Sequence, residues 1–147
     1  MKRDFVLGVD CGRHTGLAVW RRSAREFVAL ETLDFWSAYD FIKENYPPDV
    51  AEVVIEVPNA KRFLYARQDK KPDAARYRER MAANVGSNRR EAELLAERFE
   101  FYGYEVKRVQ PVKAKKWTHE EFVKFTKWPG RRSNEHERDA ARLVVGS

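Results

Sequence analysis

Residues 5–20, FVLGVDCGRHTGLAVW, decide how the chain folds. Residues 5–10 form an apolar run that closes on Asp10, and a short polar segment with Gly12 separates it from a second apolar run. Such a run, bounded by turn signals, reads as a buried strand. Its last residue poses a problem, because burying an unpaired carboxylate is costly. Some partner must answer Asp10.

Working outward, TGLAVWRR (15–22) and REFVALETLDF (25–35) read as two further strands, parted by the polar break around Ser23 and Ala24. The three strands make an antiparallel meander. WSAYDFIKENY (36–46) carries Trp36, Tyr39, Phe41, Ile42 and Tyr46 at helical spacing and stops at Pro47 and Pro48, which cannot continue a helix. AEVVIEVP (51–58) is a short β-branched run closed by Pro58. Strand, helix, strand on this scale predicts a parallel crossover onto the same sheet.

Residues 59–83, dense in Arg and Lys with Phe63, Tyr65 and Tyr77 interleaved, read as a mobile loop leading into a basic helix. In SNRREAELLAERFEFYG (87–103), Asn88 and Glu91 have capping-box spacing, Leu95 and Phe99 share a face with Ala92 and Tyr102, and Gly103 ends the helix. YEVKRVQP (104–111) is the next strand. Two helices close the chain, each opening on a capping box: Thr118 with Glu121, and Asn134 with Glu137. No repeat, low-complexity tract or linker divides the 147 residues, which fit one domain, 1–147.

Composition narrows the function classes. Lys and Arg number 29 against 23 acidic residues, giving a net charge of +6 and a pI near 9.5, which favours a polyanionic partner. A charged fraction of 35% beside 13% aromatic residues fits a folded domain with a basic surface. Cys11 is the single cysteine, so an internal disulfide and a cysteine-built zinc cluster are excluded. The first apolar run is cut too early, at Asp10, to make a signal peptide. No stretch approaches the roughly 18 apolar residues of a membrane span. The expected compartment is the cytoplasm, with no membrane partner.

Three acidic residues sit where the chemistry of a site would place them. Asp10 ends the first strand, Glu56 ends the fourth, and Asp139 lies early in the last helix. If strand one pairs with strand four, Asp10 and Glu56 become neighbours, and like charges that close are unfavourable unless a cation lies between them. A hard divalent cation bound by oxygens resolves the conflict. His136 stands three residues before Asp139, on the same helix face, and can complete a metal shell or act as acid or base. Each residue also has a plain structural reading: Asp10 capping the turn at Gly12, Glu56 facing solvent, Asp139 favoured by the helix dipole, and His136 exposed without a duty.

The chain resembles the RuvC-type Holliday-junction resolvases, in the version encoded by bacteriophages, within the ribonuclease H-like superfamily. The resemblance rests on VLGVDCGRHTGLAV (6–19), VVIEVP (53–58), GSNRREAELLAERFEFYGYEVKRVQP (86–111) and HERDAARLV (136–144), in the family's order and over nearly the whole chain. It implies an α/β fold: a ribonuclease H-like mixed five-stranded sheet, three antiparallel strands then parallel ones, flanked by helices. By the same resemblance Asp10, Glu56 and Asp139 match the metal-binding carboxylates, and His136 falls where members carry Asp or His. The family also places an aromatic wedge a few residues past the strand-four Glu. Here the first aromatics, Phe63 and Tyr65, come seven and nine positions later, with core packing as their alternative role.

The activity implied is resolution of four-way and other branched DNA by paired nicks. Two Mg²⁺ ions about 3.5–4 Å apart, replaceable by Mn²⁺, would activate water and neutralise the leaving oxygen. In that scheme Asp10 bridges both ions, Glu56 holds one, Asp139 the other, and His136 binds the second ion or orients the water. Lys113, Lys115, Lys116, Arg131 and Arg132, with Phe63 and Tyr65, are the candidate DNA contacts. No small-molecule cofactor is expected. A junction's near two-fold symmetry calls for a homodimer, with helices at 72–82 and 88–102 as candidate interfaces. If the chain is phage-encoded, it would work in the cytoplasm of a bacterial host. Three other classes remain: a ribonuclease H cutting RNA–DNA hybrids, a non-catalytic nucleic-acid-binding domain of the same fold, and an ATPase of the sugar-kinase, actin and chaperone type. The last shares the G-x-D-x-G opening but needs two lobes around its nucleotide.

Overall fold

A computed structural model of the chain describes residues 2–58, 74–111 and 114–147, without the side chains of 74–87. Its elements in chain order are β1 (Phe5–Asp10), β2 (Thr15–Arg21), β3 (Glu26–Leu33), α1 (Phe35–Asn45), β4 (Ala51–Glu56), α2 (Ala74–Tyr102), β5 (Val106–Val109), α3 (His119–Thr126) and α4 (Glu135–Arg142). The strands form one mixed sheet in the order β3-β2-β1-β4-β5. The β1–β2 and β2–β3 pairs are antiparallel, and β1–β4 and β4–β5 are parallel. Among the described residues no helix is long and apolar enough to cross a membrane.

Strand alternation divides the sheet into two apolar faces. Leu7, Val9, Leu17, Val19, Val53 and Ile55 meet α1 and α2 through Tyr39, Ile42, Leu95 and Phe99. Val6, Ala18, Trp20 and Val54 meet α3 and α4 through Phe122, Ala140, Ala141 and Val144. The central strands are covered on both sides, as their near-continuous apolar runs require.

Local chemistry sets most boundaries. Asp34 caps α1 by accepting from the Ser37 amide at 2.9 Å. Both expected capping boxes at the starts of α3 and α4 are present. Gly103, at φ 111°, ends α2 in a conformation that glycine adopts without penalty.

Three expectations fail on α2. The backbone is one helix from Ala74 through Tyr102, so Asn88 is internal rather than a cap, and separate helices at 72–82 and 88–102 do not form. No proline intervenes there, and Gly86 costs a helix only about 1 kcal/mol relative to alanine. Of the stretch 59–83, the described residues 74–83 are helical, while residues 59–73, with Phe63 and Tyr65, and Lys113 lie outside the described residues. Tyr102, expected on the buried face, is half exposed; Ala96 joins Ala92, Leu95 and Phe99 there instead.

The placement of α4 depends on a buried carboxylate. Glu137 is wholly buried and accepts from both terminal nitrogens of Arg131 (3.1 and 2.6 Å), the Asn134 amide (3.0 Å) and the Thr32 hydroxyl (3.3 Å). Arg131 also donates to the Leu30 carbonyl at 3.1 Å. Its guanidinium thus ties the loop before α4 to β3. Arg132, by contrast, meets Glu120 with both side chains 71% exposed, and such a surface pair contributes little. Arg131→Ala, which leaves the Glu137 charge buried and under-satisfied, is expected to cost about 2–3 kcal/mol in urea unfolding. Arg132→Ala is expected to cost less than about 0.5 kcal/mol in the same measurement.

Candidate active site

The four candidate residues reach one place because strand parity and helix position agree. Along β1, Val6 and Gly8 face α4, and Asp10 continues their row; along β4, Val54 faces the same way and Glu56 continues it. Val9 pairs with Ile55 in the parallel ladder, so Asp10 and Glu56 come next on adjacent strands.

The last helix supplies the other two. A β-carbon at Gly8 would collide with the Ala140 carbonyl, and one at Gly16, the partner of Asp10 in the β1–β2 ladder, with the His136 carbonyl. The two glycines therefore let α4 lie directly on β1 and β2. They bring the helix down at His136 and at Ala140, the residue next to Asp139.

All four residues line a single cavity of about 710 Å³. Lys116 and His14 share its wall. The His14 ring lies 5.8 Å from that of His136, centre to centre. His14 is not among the residues that the sequence singles out as candidates. Its position in the turn directly after Asp10 was the available signal. Cys11 also borders the cavity, yet it packs against the α1/α2 core. Burial, reinforced by the charge of Asp10, pushes its thiol up to about 12, which makes it a poor nucleophile at neutral pH.

The floor is electrostatically crowded. Burial first, then the charges of Glu56 and Asp139, push Asp10 from 3.8 up to about 8. Burial also raises Glu56, against the hydrogen bond it receives from Asp10. At neutral pH the pair therefore retains a proton. On the other side, the Lys116 ammonium bridges Glu135 and Asp139, at 3.3 Å from Asp139. Among the described residues no group of three His, Cys, Asp or Glu is arranged to hold a metal ion; a proton and an ammonium meet the negative charge instead. In donor chemistry, three carboxylates and an imidazole on one cavity wall suit a hard divalent cation.

The candidate nucleic-acid contacts divide. Lys115 is exposed and its backbone carbonyl accepts from Arg142. Lys116 is committed to the acidic floor, Arg131 to Glu137, and Arg132 to a surface pair. None of those three commitments is visible in a run of basic residues, because each partner is distant along the chain or on the far side of a turn.

No protein-family model and no curated protein sequence matches this chain.

A carboxyl group whose folded value lies above its unfolded value stabilises the fold below the unfolded value and loses that contribution as pH rises through the folded one. Without divalent ions, the melting temperature is expected to fall between about pH 4 and about pH 8 as Asp10 is forced to ionise. Asp10→Asn should flatten that slope and, at pH 7.5, raise the metal-free melting temperature by about 3–6 °C. Differential scanning calorimetry across the pH series measures both.

Proposed function

We propose that this chain is a metal-dependent endonuclease of the ribonuclease H-like superfamily, similar to the RuvC-type resolvases encoded by bacteriophages, which nicks branched DNA as a homodimer in the cytoplasm. One observation carries the reading: Asp10 from β1, Glu56 from β4 and Asp139 from α4 line one cavity and crowd one another enough to retain a proton. Structural caps and solvent-facing residues gain nothing from such crowding. A site that binds cations requires it. The strand order β3-β2-β1-β4-β5, with three antiparallel strands followed by parallel ones, is the sheet that the resemblance implies.

The metal implied is Mg²⁺, with Mn²⁺ as substitute, and the donor set fits it; Asp10, Glu56 and Asp139 would hold the ions, with His136 as a fourth donor or water partner. When bound, the ions supply Lewis acidity and a nucleophilic water at neutral pH. The chain's own groups do the rest. To hold a metal, Asp10 and Glu56 would release their shared proton to solvent. Lys116 releases Asp139 and turns to the anionic phosphate, a move its compact ammonium and flexible stem allow. Exposed imidazoles at His136 and His14 flank the floor, within reach of a water there. Because backbone phosphates carry little sequence information, recognition by such a site is of shape first. Two copies about a two-fold axis match the symmetry of a four-way junction.

The test is cleavage of labelled four-way junction, Y-fork, linear duplex and RNA–DNA hybrid, with and without Mg²⁺ or Mn²⁺. Symmetric paired nicks in the junction, dependent on the metal, are expected. Asp10→Asn and Glu56→Gln should each slow cutting by more than about 100-fold, beyond the usual cost of losing an outer-shell partner, while junction binding persists. Cutting confined to the hybrid would make the protein a ribonuclease H instead. Junction binding without cutting under any metal would make it a non-catalytic binding domain.

A further inference from the structure

Beside the acidic cavity lies a second, smaller depression of about 130 Å³, lined by Val57, Pro58, Arg89, Glu93, Arg108 and Gln110. The two share a rim. Glu56, Asn88 and Pro111 border the larger space, and their chain neighbours Val57, Arg89 and Gln110 border the smaller, with successive α-carbons only about 3.8 Å apart.

The chemistry of the two differs: carboxylates dominate the larger floor, whereas the smaller depression brings Arg89 and Arg108 together with Glu93 and Glu100. The floor of the larger cavity is built from carboxylates and by itself repels a phosphodiester. In the smaller one, Arg108 is held in place by donating to Glu93 at 3.2 Å and to Glu100 at 2.5 Å, which uses two of the five N–H donors of a guanidinium. Among the described residues its other donors have no partner, and Arg89 makes neither an ion pair nor a hydrogen bond. Glu93, the carboxylate in this lining, is already paired with Arg108. Two guanidinium forks beside the Gln110 amide suit the tetrahedral oxygens of a phosphate. The depression has room for a phosphate group.

We propose that this depression is a backbone-phosphate subsite, in which Arg89 and Arg108 hold a phosphodiester neighbouring the one in the acidic cavity. The proposal rests on the nuclease reading above. Arg89 and Arg108 anchor the strand through attraction that the carboxylate floor cannot provide, and contacts of this kind to the backbone carry no sequence information.

The experiment measures binding of a synthetic four-way junction by fluorescence anisotropy over a salt series, and its single-turnover cleavage in Mg²⁺. Junctions carrying one neutral methylphosphonate at each position flanking the cut are compared with the unmodified one. Arg89→Ala is expected to weaken binding about tenfold, the loss of one charge-assisted contact, and to lower the slope of log K against log[salt] by about one. Arg89→Lys should restore most of that loss. Arg25→Asn, at the exposed β2–β3 turn at the opposite end of the sheet, should change neither quantity. At one flanking position, the methylphosphonate should weaken binding by wild type but not by Arg89→Ala. Effects that multiply independently at every position, or an Arg89→Ala protein that behaves like Arg25→Asn, would overturn the subsite while cleavage by wild type stands. A wild-type protein that cuts neither junction nor any other nucleic acid would overturn the nuclease reading and the subsite together.

Discussion

The direct seating of α4 on the middle of the sheet governs everything else in this protein. Two glycines on adjacent strands, Gly8 and Gly16, leave no side chain between helix and sheet. The fully buried Glu137, answered by Arg131, Asn134 and Thr32, fixes where the helix begins. Apolar contacts from Ala140, Ala141 and Val144 complete the seat. Shifting the helix by the width of a methyl group would move Asp139 off the floor that Asp10 and Glu56 define. Interiors this closely packed transmit such shifts rather than absorb them.

The same seat creates an electrostatic cost. Carboxylates brought together at partly buried positions disfavour one another's ionisation, and the fold answers with a proton on the Asp10–Glu56 pair and the Lys116 ammonium against Asp139 and Glu135. Both are exchangeable counter-charges. On the proposed function, stability and function pull in opposite directions here, as they commonly do where a site must be ready to bind charge. The protein is basic overall, with a net charge of +6, yet the floor of its main cavity is built from carboxylates.

Much of this architecture was legible along the chain. The β-branched runs, the proline stop after α1 and the capping boxes of α3 and α4 report interactions between residues a few positions apart, which the sequence displays directly. Asp10 and Glu56 were legible for the same reason: each closes an apolar run, and period-two alternation carries it to a definite face. The continuous α2 was not legible, because a capping-box spacing at Asn88 is a local option that the longer helix overrode. The commitments of Arg131, Arg132 and Lys116 were hidden in basic runs whose partners lie elsewhere.

By itself, then, the sequence determined most element types and the identity of the acidic residues, since hydrophobic period and turn chemistry act over a few residues. The tertiary structure alone decided which of those residues meet. Only strand order and register set Asp10 beside Glu56, only the glycine-bared surface of β1 and β2 admits α4 closely enough to add His136 and Asp139, and only burial turns their proximity into a shared proton. Electrostatic coupling depends on distance and solvent exclusion, and neither is written in the order of the residues.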